Sequence, residues 1–325
     1  MRSKFLPVAI ACALLASVNA FAQDYPVANK TITFVLPYAP GGPTDKAARD
    51  LAQAMSKAMG GHSIVIDNSA GASGSIGANK VAKAGADGYT LLFTHIAQAT
   101  LPTFFRNLPY NVEKDFEYIG LVSENPMNLI GRPSLPANNM TELVTWIQAN
   151  KGKINIANAG PGSASHLCGM LFQSTLKVDM TSVPYKGTAP AMTDLIGGQV
   201  TFLFVDLASS RPHVQSGRVR ALALSAEQKS ALAADLPTVA EQANLPGFDL
   251  AAWIGVVGPA GMPPAIVNKL SERLAAMLVR KDVAERLVGL GVEAHPSTAA
   301  ELDAYMKRQL EGWGRKVKDA GIQPE

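Results

Sequence analysis

Two glycine-rich segments have the composition of main-chain anion sites, because glycine lets backbone N–H groups approach a ligand closely. The first runs from Tyr38 to Asp45 and the second from Ala159 to Ser165. Each lies between a strand-like apolar run and a helical pattern, whose N-terminus adds partial positive charge. Together they predict a small anion held from two sides. The residues assigned to this site are Tyr38, Ala39, Gly41, Gly42, Gly160, Gly162, Ser163 and Ser165.

The glycines of both segments are expected to leave their amides free at the start of the following helix. The Asp45 carboxylate would interact favourably with the dipole of the helix after the first segment. Ser163 or Ser165 would cap the helix after the second segment while also facing the ligand. The alternative for the first segment alone is an ordinary connection between a strand and a helix. The alternative for the second segment is simple helix capping.

Six further residues extend the predicted site, since ligands of open α/β sheets bind beyond the carboxyl ends of strands. Ser73 would add a hydroxyl, Tyr185 would form a wall of the cleft, and the Asp206 carboxylate would accept from an amino or hydroxyl group. A surface or capping role is the open alternative for Asp206. The six residues are Ser73, Gly74, Thr94, Gln98, Tyr185 and Asp206.

The elements that must position these residues alternate between strands and helices. Several strand-like runs are continuously apolar, which is typical of parallel strands buried on both faces. This pattern predicts an α/β fold. The strand-like runs are Ile32–Leu36, Ile64–Asp67, Tyr89–Thr94, Tyr118–Val122, Asn128–Ile130, Ile154–Ala157, Val200–Val205, Val219–Leu224 and Trp253–Val257.

Two polar stretches divide the chain. Residues 123–126 and 225–235 have the character of crossings between lobes. We therefore expect a discontinuous first lobe, residues 23–122 plus 252–325, and a second lobe with the hinge segments, residues 123–251. Two crossings make a natural hinge.

Residues 1–22 have the pattern of a cleaved signal peptide. Arg2 and Lys4 precede a short apolar core, and Ala20 and Ala22 form a small-x-small cleavage site. The apolar core is too short to span a bilayer, so the mature chain is expected in the periplasm and not embedded in the membrane. Lipidation of Cys12 is a lesser alternative, because no clear lipobox surrounds it.

Composition narrows the function further. Cys168 is the one cysteine outside the signal segment, and the net charge falls from +3 to +1 when Arg2 and Lys4 are removed. That charge gives no basis for nucleic-acid binding. The five histidines lack metal-ligand spacing, and no dinucleotide fingerprint occurs, so we predict neither metal nor cofactor. Ser165, His166 and Cys168 are too close in sequence to face one another on a helix, which disfavours a hydrolase.

Five motifs occur in order along the chain, and they begin at Tyr38, Gly71, Asp87, Val183 and Leu236. As an ordered set they resemble the extracytoplasmic solute receptors of tripartite tricarboxylate transporters, the Bug family. The resemblance covers essentially the whole mature chain and implies a type II periplasmic-binding-protein fold, two α/β lobes closing over a small carboxylate, and a membrane permease as partner. Many members of that family carry aspartate directly after the phenylalanine, whereas here Val205 intervenes before Asp206, which leaves the direction of that carboxylate open.

We therefore predict a periplasmic binding protein, not an enzyme. It would capture a small carboxylate, such as an organic acid, an acidic amino acid or an aromatic acid, and deliver it to a membrane permease. A co-receptor for a sensor kinase is one alternative, with the same ligand site and a different partner. A secreted serine hydrolase using Ser163 or Ser165 is the other alternative.

Overall fold

A computed structural model of the protein describes residues 25–41, 43–243, 245 and 248–319. The predicted signal peptide, residues 1–22, and the site candidate Gly42 lie outside the described residues. Strands and helices alternate along the described chain, as the sequence predicts. None of the described helices is both long and apolar enough to cross a bilayer.

The strands are short, and most of them coincide with the apolar runs of the sequence. The exception is an exposed strand, Thr181–Pro184, which has no apolar run. The strands are β1 Ile32–Leu36, β2 Ile64–Asn68, β3 Thr90–His95, β4 Phe116–Pro126, β5 Asn128–Gly131, β6 Asn155–Asn158, β7 Thr181–Pro184, β8 Phe202–Val205, β9 Arg220–Leu224 and β10 Ala251–Pro259.

The helices cover the sheets with amphipathic faces. In the first helix, Ala48, Leu51 and Met55 repeat every three or four residues, and these three and Met59, just after the helix, are all buried. The helices are α1 Pro43–Ala58, α2 Ser75–Ala82, α3 Ile96–Phe104, α4 Met140–Ala149, α5 Ala164–Leu176, α6 Thr188–Ile196, α7 Leu207–Gln215, α8 Val239–Gln242, α9 Pro264–Leu278, α10 Lys281–Gly289 and α11 Ala299–Asp319.

The strands form two five-stranded sheets of matching design. The order is β2-β1-β3-β10-β4 in the first sheet and β7-β6-β8-β5-β9 in the second. In each sheet three neighbouring strands are parallel to one another. One further strand is antiparallel to both of its neighbours, namely β10 in the first sheet and β5 in the second. The sheets are therefore mixed rather than wholly parallel. The carboxyl ends of the three parallel strands therefore lie side by side along one end of each sheet.

The chain crosses twice between the sheets. It leaves the first sheet at the end of β4 and enters the second at β5, so residues 123–126 end a strand and the crossing is at Met127. It returns between β9 and β10. The lobe limits given above remain a prediction.

Ser225 joins both crossings. Its N–H donates to the Met127 carbonyl and its hydroxyl accepts from the Met127 N–H, each at 2.8 Å. The hydroxyl donates to the Leu250 carbonyl at 2.6 Å, and the Leu250 N–H donates to the Ser225 carbonyl at 2.9 Å. Ser225 is fully buried, so this small network fixes the two crossing segments side by side.

Candidate functional site

The predicted site residues gather at the carboxyl ends of the six parallel strands. The connections after β1, β2 and β3 belong to the first sheet, and those after β6, β7 and β8 belong to the second. Each connection leads into a helix, so six helix N-termini lie at these two edges. Helix N-termini carry partial positive charge, which favours an anion at this position.

Two of these connections meet across the lobes. Ser73, after β2, donates its hydroxyl hydrogen to the Pro161 carbonyl at 2.8 Å. Thr100, in α3, donates to the Gly162 carbonyl at 3.0 Å and is fully buried. The Phe104 ring lies 5.3 Å from the His166 ring, centroid to centroid. The structure therefore brings Ser73 together with the second glycine-rich segment and holds the two lobes in contact.

The first glycine-rich segment differs from the prediction, because the Gly41 amide is not free. Its N–H donates at 3.0 Å to Asp45, whose buried carboxylate also accepts from Arg49 at 2.9 Å and from Asn68 at 2.8 Å. The Arg49 bond, with help from Gly41 and Asn68, lowers the Asp45 pKa to about 2. Asp45 thus shapes the loop, while Ala39 and Gly41 are exposed on it.

The amides of the second glycine-rich segment are also occupied. The Gly160 N–H donates to Asn158 Oδ1 at 2.9 Å, and the Gly162 N–H donates to His166 Nδ1 at 3.2 Å. The expectation of free glycine amides is therefore wrong here as well, because side chains flanking the loop accept them. Both glycines have positive φ, 113° and 73°, a conformation that glycine adopts readily.

The serines of this segment brace the loop. Ser163 caps α5 by accepting from the His166 N–H at 3.3 Å, and its hydroxyl donates to the Gly160 carbonyl at 2.7 Å. The Ser165 hydroxyl accepts from the Ala159 N–H at 2.8 Å. Capping is thus observed for Ser163, and the buried Ser165 stabilises the start of the loop.

His95 is a further candidate for the site, and the sequence analysis did not include it. It directly follows Thr94, one of the predicted residues, and its ring lies 4.9 Å from that of Tyr38. Its Nδ1 accepts from the Ala97 N–H at 3.3 Å, so Nε2 carries the hydrogen. Burial lowers the His95 pKa to about 4, which keeps the ring neutral. A Cβ on Gly74 would lie 2.8 Å from His95 Nε2, so only glycine fits there.

Asp206 caps α7 and is also close to the opposite lobe. Its Oδ1 accepts from the Ser209 N–H at 2.7 Å and its Oδ2 from the Ser209 hydroxyl at 2.8 Å. Burial raises the Asp206 pKa. Burial also raises the pKa of Tyr38, and the negative charge of Asp206 raises it further. The two side chains, one from each lobe, therefore lie within electrostatic reach of each other.

Three predicted residues have other contacts. Thr94 and Gln98 are buried, and Thr94 lines a small, mostly apolar cavity beside Tyr38. Gln98 Oε1 accepts from the Tyr110 hydroxyl at 3.4 Å. The Tyr185 hydroxyl donates to Asp194 at 2.6 Å, a bond that raises the Tyr185 pKa to about 12. The Tyr185 carbonyl, rather than its ring, approaches Gly160.

The groups that a hydrolase would use are engaged elsewhere. His166 Nδ1 accepts from the loop, and the thiol of Cys168 is buried with a raised pKa. Within the described ranges, no group of three or more His, Cys, Asp or Glu residues is arranged to hold a metal ion. The candidate site presents hydroxyl, imidazole and carboxylate groups that can form hydrogen bonds.

Several solved structures are similar to this chain over nine-tenths or more of its length. The periplasmic binding protein BugD is 38% identical, with a TM-score of 0.83, and the match covers 93% of this chain and 100% of that one. An R. palustris protein solved with adipate is 32% identical, with a TM-score of 0.86 and coverage of 93% and 100%. MatC from Rhodopseudomonas palustris, solved with bound malate, is 35% identical, with a TM-score of 0.79 and coverage of 90% and 100%.

These likenesses confirm the predicted class, a two-lobed α/β fold of the periplasmic-binding-protein type. The sequence family described as the tripartite tricarboxylate transporter family receptor matches residues 47–322, most of the chain. The protein therefore belongs to the family of tripartite tricarboxylate transporter receptors, as its motifs indicate.

Proposed function

We propose that this protein is a periplasmic solute receptor, not an enzyme, that binds a small dicarboxylate between its lobes and delivers it to a membrane permease. The observation that carries the proposal is the meeting of two strand-end connections from opposite lobes, marked by the hydrogen bond from Ser73 to Pro161. Family membership supports it, and similar proteins have been solved with adipate and with malate.

The site provides neutral donors and helix N-termini rather than a cationic clamp. The occupied glycine amides shape the loops, and the Ser73 hydroxyl donates its hydrogen to Pro161. The ligand would therefore be held by amides of the first helical turns and by polar side chains such as His95. Each hydrogen bond to a carboxylate contributes about 1.5–3 kcal/mol. Four such bonds contribute about 6–12 kcal/mol together, which is of the same order as the ~8 kcal/mol of a micromolar complex.

Isothermal titration calorimetry on the mature protein tests this function. Adipate, malate and citrate are titrated at neutral pH, and adipamide serves as a control that keeps the length of adipate but removes both charges. We expect a Kd on the order of micromolar for at least one diacid and no heat with adipamide. Absence of binding to adipate, malate and citrate alike, or equal binding of adipamide and adipate, would contradict the proposal.

A further inference from the structure

We propose that the turn between β2 and α2, residues 71–74, is a latch that holds backbone strain while the lobes are in contact and relaxes as they separate. The strain opposes closure, so a bound ligand has to offset it, and its relaxation favours release of the ligand. This inference concerns the opening and closing of the protein and goes beyond the proposed function.

Four consecutive residues of the latch have positive φ. Ala72 and Ser73 are at 46° and 53°, and the glycines on either side, Gly71 and Gly74, are at 123° and 94°. This left-handed region is unfavourable for alanine and serine, because the Cβ approaches the following carbonyl oxygen. Such strain persists only where surrounding contacts impose it. Two neighbouring residues in this conformation therefore need contacts that hold them there.

The opposite lobe supplies such contacts. The Ser73 hydroxyl donates to the Pro161 carbonyl at 2.8 Å, and a Cβ on Gly160 would lie 4.0 Å from Ser73 Oγ. Ala72 is exposed and Ser73 is only partly buried, so close packing within the first lobe does not impose their conformation. Separation of the lobes would break the hydrogen bond to Pro161 and remove the restraint.

The latch can change its hand without losing its own hydrogen bond. The Gly74 N–H donates to the Gly71 carbonyl at 2.9 Å, and turns of either hand form this bond. The two glycines allow the backbone on each side to adjust, whereas Ala72 and Ser73 favour the right-handed turn. A Cβ on Gly74 would lie 2.8 Å from His95 Nε2, so the latch is anchored beside the candidate site. The right-handed turn is therefore the relaxed form, and the left-handed turn belongs to the closed form.

Double electron–electron resonance on the ligand-free mature protein tests this inference. Spin labels on Val65→Cys and Thr181→Cys, exposed positions on β2 and β7, report the distance between the lobes, and the native Cys168 is buried. Ala72→Gly removes strain from the left-handed turn, and Ala72→Val increases it, because positive φ is least favourable for β-branched residues. Lys177→Gly is the matched control, since Lys177 has φ 52° at the end of α5 and makes no contact across the lobes in its role as a helix cap.

We expect Ala72→Gly to raise the ratio of closed to open molecules by roughly 3–10-fold and Ala72→Val to lower it. Lys177→Gly should leave the ratio unchanged, because its conformation is the same in both forms. Unchanged distance distributions for both Ala72 variants, or an equal shift in Lys177→Gly, would overturn the inference, since the strain would then be common to the open and closed forms. The measurement needs no ligand, so its outcome is independent of the calorimetry that tests the proposed function.

Discussion

The Asp45→Asn substitution tests how the first loop is held in shape. The Arg49 bond is the largest cause of the low Asp45 pKa, about 2 against an ordinary value of 3.8, and the Gly41 and Asn68 bonds add to it. Lowering a pKa by roughly 2 corresponds to about 2–3 kcal/mol of stability. Because the Arg49 side chain is 51% exposed, solvent screening reduces the expected loss to about 1–2 kcal/mol.

The sign of the pH dependence follows from the lowered pKa. Unfolded Asp45 binds a proton at a higher pH than folded Asp45, so its contribution is complete above about pH 4–5 and is lost as the pH falls towards 2. Urea unfolding followed by circular dichroism at pH 7 and near pH 2 measures this directly. The difference between wild type and variant should be present at pH 7 and should shrink at pH 2.

The control is Asp50→Asn in the same helix, where the carboxylate pairs with Arg286 at the surface. We expect it to lose less than 1 kcal/mol at pH 7. If Asp45→Asn were no less stable than Asp50→Asn at pH 7, or if its deficit were unchanged near pH 2, the role given to Asp45 would be wrong.

Three further predictions concern closure of the lobes and the charge of the site. Ser73→Ala should weaken diacid binding by roughly 3–10-fold in calorimetry, because it removes the hydrogen bond to Pro161 of the other lobe. Ser69→Ala removes a hydrogen bond to Asp67 within one lobe and should not weaken binding. Equal effects of the two substitutions would contradict this role of Ser73. Gly291→Ala should prevent full closure of the lobes, because the added Cβ would lie 2.9 Å from Ala208. Small-angle X-ray scattering with ligand should therefore give a larger radius of gyration than for Gly198→Ala, where the backbone strain is similar but no atom lies within 4 Å of the added Cβ. Identical scattering curves for the two variants would refute this prediction. His95 ring resonances should not titrate between pH 5 and 8 in NMR spectra, since burial lowers its pKa to about 4; a midpoint near 6.5 would show a solvated ring.

Much of the fold could be predicted because its strands are short apolar runs. Strand β1 has the limits predicted from its sequence, Ile32–Leu36. Strand β7 was not predicted, because Thr181–Pro184 is an exposed edge strand that ends in proline and has no apolar pattern. Its place in the sheet comes from pairing with β6, a contact between residues distant in sequence.

The sequence predicted that the candidate site residues follow the ends of strands, but it did not show how their polar groups are used. Glycine spacing located the loops, yet the acceptors of the Gly41 and Gly162 amides, Asp45 and His166, follow four residues later on the first turn of a helix. Whether such a side chain turns back to the loop or out to a ligand depends on tertiary packing. Ser225 was likewise placed only in a polar stretch, because its partners lie 98 and 25 residues away.

A crystal structure of the mature protein grown with malate tests the central claim most directly. The account predicts one malate between the lobes, within hydrogen-bond distance of groups at the strand ends of both sheets. Malate bound to one lobe only, or bound away from the contact between Ser73 and Pro161, would contradict the account.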